Sequence, residues 1–175
     1  MKTFRLLSVL LLGGLLIASA SYATDKCLTC HKNSNPALYL QWKDSGHGKN
    51  GIGCLDCHEA EESDVDAFKH NGETIATLVT PKDCGKCHEQ IEKETSASYH
   101  AHAGEILASA DAYLAHAAGG HPIVIVGCES CHGAKIVIDP DAPNKLSPTT
   151  WPNSGIGRLN PDGSKGACNA CHSRH

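Results

Sequence analysis

All ten cysteines of this 175-residue chain occur in one pattern, Cys-x-x-Cys-His, which appears five times. Two thiols three residues apart can bond to the two vinyl groups of one porphyrin, and the histidine that follows can present a ring nitrogen to its iron. Zinc ribbons and thioredoxin-like redox pairs also use Cys-x-x-Cys, but neither requires a histidine directly after each pair. The sequence therefore predicts five covalently attached haems c.

The five motifs supply both the attachment thiols and one axial ligand per iron. The predicted attachment residues are Cys27, Cys30, Cys54, Cys57, Cys84, Cys87, Cys128, Cys131, Cys168 and Cys171. The predicted proximal iron ligands are His31, His58, His88, His132 and His172.

Seven further histidines lie outside the motifs: His47, His70, His100, His102, His116, His121 and His175. The only methionine is Met1, so methionine ligation is not expected in the mature chain. This surplus favours low-spin haems with two histidine ligands and low reduction potentials. A surface position or a contact with a haem propionate is the alternative for any single one of them.

The amino terminus has the pattern of a secretory signal peptide. Lys2 and Arg5 precede an apolar run from Leu6 to Ala18, and Ala23 offers a candidate cleavage point. The run is too short and wrongly flanked for a retained membrane span. We predict a signal peptide over residues 1–23 and a mature domain over 24–175. The predicted location is the bacterial periplasm, where haem is attached to thiols.

Length and charge limit the fold and the partners. The mature chain is too short to wrap five porphyrins one by one, so we expect the haems themselves to form the core. The predicted fold class is mainly α with extensive irregular chain, in one haem-packed domain. The formal net charge of −4 disfavours nucleic acid and favours basic redox partner proteins, such as other cytochromes or a membrane quinone oxidoreductase. Assembly into a homo-oligomer is left open.

Local patterns predict several elements. Residues 36–44 form a short helix that ends at Gly46, and Thr80 caps a helix that starts at Pro81 and carries the third motif. Residues 91–118 form one long helix that Gly119 and Gly120 stop. The apolar residues 123–126 lead into the fourth motif as an extended segment. Residues 140–166, with five prolines and four glycines, form a long ordered loop.

Several stretches, some of which include haem motifs, carry a family resemblance. They are Trp42–Gly48, His70–Gly72, Thr80–Cys84, His100–Ala101, Gly127–Gly133, Thr150–Arg158 and Cys168–His175. Together they resemble the amino-terminal part of the hydroxylamine oxidoreductase-like octahaem cytochromes, with five of the eight haem motifs. The resemblance implies an oxidoreductase that acts on small nitrogen compounds, hydroxylamine or nitrite, with electron transfer through stacked haems.

The resemblance also implies residue roles. It places a five-coordinate catalytic haem at Cys128, Cys131 and His132. His175 would lie on its distal side and transfer protons, and Arg174 would attract an anionic substrate. His47, His70 and His100 lie in matching segments beside small residues, so we predict them as distal ligands of low-spin haems.

The chain departs from that family by ending at His175, where family members continue with three more haem motifs. None of its four tyrosines matches the cross-linking tyrosine of the oxidative enzymes. We therefore expect a carboxy-terminally truncated chain, with a genuine five-haem protein as the alternative. The alternative function is a pentahaem electron-transfer cytochrome in which every haem is six-coordinate and no substrate binds. A zinc-binding structural domain is a third hypothesis.

Overall fold

The computed structural model describes residues 20–107, 110–172 and 175. The helices are α1 Ala20–Ser34, α2 Pro36–Asp44, α3 Gly46–Lys49, α4 Leu55–His58, α5 Pro81–Gly85, α6 Glu89–Ser96, α7 Ala103–Leu107, α8 Ala110–Ile123 and α9 Ser130–His132. Strands β1 Phe68–His70 and β2 Glu73–Ile75 form an antiparallel pair. A π-helical segment covers Val124–Glu129, and a 3-10 turn covers Cys168–Ala170. Helices and irregular chain dominate the described residues, which confirms the predicted mainly α class.

Two predicted helix starts are confirmed. Asn35 caps α2 by accepting the amide hydrogen of Leu38 at 3.3 Å, and Pro36 occupies the first turn. Thr80 and Asp83 form a capping box at the start of α5, where the Thr80 amide donates to Asp83 Oδ2 at 2.9 Å. These local signals work because they satisfy amide groups that a helix start leaves without partners.

The hairpin β1–β2 was not predicted, although its turn has a clear signal. Asn71 and Gly72 both adopt positive φ, 50° and 90°. Two consecutive residues in this region are typical of a two-residue hairpin turn, and Asn-Gly is the pair that adopts it most readily. The register pairs Phe68 with Ile75 and His70 with Glu73, so the turn places His70 at the end of β1.

The prediction of one long helix over residues 91–118 is wrong. Helix α6 ends at Ser96, residues 97–102 form turns, and α7 begins at Ala103. Ala101 is completely buried, and a side chain at Gly104 would collide with the backbone carbonyl of Gly157. The helix-favouring sequence is thus interrupted because this segment packs its backbone directly on another part of the chain.

The prediction of an extended segment at residues 123–126 is also wrong, because these residues are helical. Gly120 lies at φ 72° and Pro122 has no amide hydrogen, so the regular ladder of α8 is interrupted near its end. The chain then continues as the π-helix Val124–Glu129, which includes Cys128. Single π-helical turns often occur at functional sites.

The prediction of an ordered loop over residues 140–166 is confirmed. Its backbone is tied to the rest by isolated bridges, which join Ile138 to Leu146, Leu159 to Lys165 and Lys135 to Leu159. Trp151 packs against a small cluster of Leu78, Ile136 and Leu146. Trp151 therefore anchors the loop to this cluster.

The apolar core of the polypeptide is small. The buried hydrophobic side chains among the described residues are Leu78, Ala101, Val124, Ile136, Leu146 and Ala167. All of them follow residue 77, so the described part of the chain that carries the first two motifs contributes none. Within the described residues, no helix has both the length and the apolar character needed to cross a bilayer. Residues 1–19 of the predicted signal peptide lie outside the described residues, and residues 20–23 belong to α1.

Candidate haem-binding sites

Three motif histidines each face a histidine from outside the motifs. The ring centres are 5.9 Å apart for His31 and His70, 6.2 Å for His47 and His88, and 5.9 Å for His58 and His175. Ordinary contacts between rings also fall in this range. However, imidazole nitrogens bind first-row metals such as zinc at about 2.0 Å, which puts the ring centres of two histidines on opposite sides of one metal about 6 Å apart. Each pair combines one predicted proximal ligand with one spare histidine.

His58 is oriented by a second contact. Its Nδ1 lies 2.8 Å from the carbonyl oxygen of Ala76, and the Ala76 amide donates to the His58 carbonyl at 3.0 Å. A carbonyl can only accept, so Nδ1 carries the hydrogen and Nε2 keeps the lone pair. Metal-binding histidines are commonly fixed in this way. By contrast, Nδ1 of His31 is buried without a hydrogen-bond partner among the described residues.

His47 depends on close backbone packing of the short helix α3. Ser45 accepts the Gly48 amide hydrogen at 3.0 Å and donates to the Trp42 carbonyl at 2.7 Å. A β-carbon at Gly48 would collide with that same carbonyl. Glycine at this position therefore lets α3 lie against the end of α2 and brings His47 to His88.

The structure places His175 beside His58, whereas the family resemblance led us to expect it at His132. The planes of the His58 and His175 rings are only 13° apart, and His175 adopts a positive φ of 56°. Arg174, the other predicted catalytic residue, lies outside the described residues. The contact with His58 could not be predicted from local patterns, because it joins residues far apart in the chain.

Contacts between thiols bring different motifs together, and all ten cysteines are free in the described chain. Burial raises the pKa of Cys54 to about 11, with a further contribution from the hydrogen-bonding thiol of Cys27. The thiols of Cys84 and Cys168 also hydrogen-bond, which raises the pKa of Cys84 and lowers that of Cys168 to about 6. The first motif thus meets the second, and the third meets the fifth.

The backbone after the fourth motif is held by the long loop. The amides of Ile156, Gly157 and Leu159 donate to the carbonyls of Cys131, His132 and Ala134 at 2.9, 2.9 and 3.0 Å. Gly133 has φ 88°, and a β-carbon there would collide with the backbone of Arg158. The loop of residues 140–166 thus packs against the fourth motif.

The fourth and fifth motifs differ from the first three in the surroundings of their histidines. His132 and His172 are exposed, and no histidine ring whose side chain the structure describes faces either of them. His100, the third predicted distal ligand, is exposed on the turn before α7. Its role as a ligand stays a prediction.

Sequence reasoning missed one oriented histidine, His102. Its Nδ1 lies 2.6 Å from Glu105 Oε2. The other carboxylate oxygen, Glu105 Oε1, forms an ion pair with Lys165 Nζ at 2.7 Å. The hydrogen bond from Lys165 is the main cause that lowers the pKa of Glu105, and the hydrogen bond with His102 lowers it further. The three-residue spacing of His102 and Glu105 at a helix start was the available signal. Lys165 connects this pair to the segment that precedes the fifth motif.

Comparison with known proteins supports a multihaem fold. No known family profile matches the chain, and no curated protein matches it. One solved structure, described as a "Hypothetical multiheme protein", superposes with a TM-score of 0.75 at 27% sequence identity. The match covers 89% of this chain but 40% of that one, so the chain spans well under half of the other protein's length. The chain has the fold of a multihaem protein. That description names no substrate and no family, so the resemblance to the hydroxylamine oxidoreductase-like cytochromes stays a prediction.

Proposed function

We propose that this chain binds five haems c and works as a multihaem electron-transfer cytochrome exported to the periplasm. The five motifs and the structural similarity to a multihaem protein support the cofactor. The signal-peptide pattern at residues 1–23 supports export.

The observation that carries the proposal is the set of three histidine pairs. His70, His175 and His47 would supply the sixth ligand opposite His31, His58 and His88, respectively. The spacings of 5.9, 5.9 and 6.2 Å suit one iron between each pair. The Nδ1 contact of His58 leaves the correct nitrogen available. The scarcity of buried apolar side chains before residue 78 is also what a haem-filled interior requires.

The polypeptide would hold, orient and juxtapose the cofactors. When bound, haem supplies reversible one-electron transfer. The thiol contacts Cys27–Cys54 and Cys84–Cys168 put attachment points of the first and second haems, and of the third and fifth, side by side. Electron tunnelling falls steeply with edge separation, so adjacent attachment points favour transfer within each pair.

A second candidate function is reduction or oxidation of a small nitrogen compound, hydroxylamine or nitrite, at the fourth motif. The specific observation is that His132 is exposed and that His175 lies beside His58 instead. The fourth site would then keep an open distal position. Because His175 would be an iron ligand in this arrangement, proton transfer there would fall to another group. His100 and His102 are candidates for this group, because they come shortly before Gly104, which approaches the carbonyl of Gly133 beside the fourth motif.

The test is expression with the native leader in a host that matures haem c. Intact mass should exceed that of the cleaved polypeptide by five haems, and paramagnetic resonance should show at least three low-spin haems. A mass without haem would overturn both functions. A high-spin signal with turnover of hydroxylamine or nitrite would support the second, and wholly low-spin haem without turnover would reject it.

The matched control is the double variant Cys128→Ser with Cys131→Ser, which removes the fourth attachment site. We expect four haems and loss of any high-spin signal and turnover. If turnover persists in this variant, the substrate site is not the fourth motif.

A further inference from the structure

Arg158 is the largest fully buried side chain among the described residues, with an exposed fraction of 1%. Its Nε donates to Asn160 Oδ1 at 2.6 Å, and its Nη2 donates to the carbonyl of Val79 at 2.7 Å. A weaker contact of 3.5 Å joins Nη1 to the carbonyl of Asn153. The guanidinium also lies over the ring of Trp151, 5.8 Å from its centre. The side chain is thus fixed in one place.

The position of Arg158 links the third and fifth motifs. Val79 directly precedes the cap of α5, the helix that contains Cys84. On the other side, the Gly166 amide donates to the Arg158 carbonyl at 2.8 Å, and Asn160 donates to the Gly166 carbonyl at 3.1 Å. Gly166 lies two residues before Cys168. The guanidinium of Arg158 is thus tied to the segment just before α5, and its backbone to the segment just before Cys168. The contact with Cys84 is the main cause that lowers the pKa of the Cys168 thiol, and the positive charge of Arg158 lowers it further.

A structural clamp is the simpler explanation, but it does not require a charge. Carbonyl and amide oxygens also accept hydrogen bonds from neutral donors, whereas burying a guanidinium costs desolvation free energy. Arginine stays protonated in proteins, so the charge persists at every physiological pH. Because water is excluded around Arg158, its charge interacts strongly with any change of charge nearby.

We propose that Arg158 sets the reduction potential of the haem on the fifth motif by holding a buried positive charge beside it. Reduction adds one electron to the iron, so a fixed positive charge stabilises the reduced state and raises the potential. The fifth haem is therefore a better electron acceptor with this charge than without it. This inference rests on the proposed haem content of the two motifs.

The experiment is a redox titration of the holoprotein followed by visible and paramagnetic resonance spectra. Arg158→Gln removes the charge, and we expect the midpoint potential of one haem to shift downward. Arg158→Lys keeps the charge while it loses part of the hydrogen bonding, so most of the wild-type potential should remain. Lys135→Gln is the matched control, because it removes an exposed positive charge from the segment bridged to Leu159, where water screens it.

A second variant keeps the proposal testable if Arg158→Gln fails to fold. Asn160→Asp replaces the amide that accepts the Arg158 Nε hydrogen with a carboxylate. The negative charge of the carboxylate offsets the positive charge of Arg158 while the arginine side chain stays in place. The same downward shift is expected. Equal shifts in the Lys and Gln variants, or unchanged potentials in both Arg158→Gln and Asn160→Asp, would overturn the inference. Haem content is measured on each sample, and absence of haem on the wild-type motifs would instead reject the proposed function.

Discussion

The imidazole rings of His58 and His175 lie almost parallel with their centres 5.9 Å apart, although they come from the second motif and the last residue of the chain. The His58 ring is further fixed by its Nδ1 contact with Ala76. This spacing would allow one iron between the two rings, and the distal side of the second haem is where His175 acts in our proposal.

Replacing His175 with Ala should convert one low-spin haem to high spin while haem content stays constant. The physical reason is the loss of one axial ligand to the iron held by His58. Paramagnetic resonance of the oxidised protein measures the change. His175→Met is the control, because a thioether can occupy the same axial position and should restore a low-spin haem with a higher potential. If the number of low-spin haems stays the same and hydroxylamine turnover is lost, His175 acts at the fourth motif and is not a ligand of the second haem.

Gly48→Ala should lower the free energy of unfolding by about 1–3 kcal/mol, because the new methyl group meets the Trp42 carbonyl and pushes α3 away from α2. His47 would move with α3, so loss of one low-spin haem should accompany the lower melting temperature. Gly46→Ala is the control, since nothing lies within 4 Å of its added carbon. Its helical position predicts a neutral or slightly stabilising change of up to about 1 kcal/mol. Equal melting temperatures for both variants would contradict the packing argument.

Asp66→Asn should stabilise the protein near neutral pH and have little effect in acid. Asp66 is buried, and desolvation, the main cause, raises its pKa above the usual value. The folded state thus holds this proton more tightly than the unfolded state, so the stability contribution is fully present below the unfolded pKa of about 3.9 and is lost as pH rises through the folded pKa. Thermal unfolding across that window measures the difference. Asp141→Asn, at an exposed site, should change nothing; a destabilised Asp66→Asn at neutral pH would refute the sign.

The contact between Cys84 and Cys168 predicts magnetic coupling between the third and fifth haems. The double variant Cys168→Ser with Cys171→Ser should lose one haem and leave the resonance signal of the third haem simpler and narrower, because its neighbour is gone. Removing the first haem with Cys27→Ser and Cys30→Ser should instead alter the signal of the second haem. If neither removal affects any remaining signal, the attachment points do not bring the haems close.

Much of the local structure could be predicted because its causes are local. Asn35 and Thr80 cap helices through their own neighbours, and the prolines and glycines of residues 140–166 prevent regular structure. The break in the predicted long helix could not be foreseen in this way. It arises where Ala101 is buried and Gly104 meets Gly157, two segments that are distant in sequence.

The same distinction holds for the candidate sites. The five motifs identify their own cysteines and proximal histidines, because attachment needs these residues at a fixed spacing. Distal partners come from elsewhere in the chain, so only folding assigns them. His70 and His47 lie beside motif histidines, while the placement of His175 at His58 depends on the path of the entire chain between them.

The thiol contacts have a consequence for how the protein matures. A thiol adds to a vinyl group as its thiolate, and in the folded polypeptide burial and neighbouring thiols keep Cys54 and Cys84 protonated. Each also lies close to the thiol of another motif. If these thiols carry haem, as we propose, we expect it to be attached while the chain is still open, so that the fold closes around cofactors that are already in place.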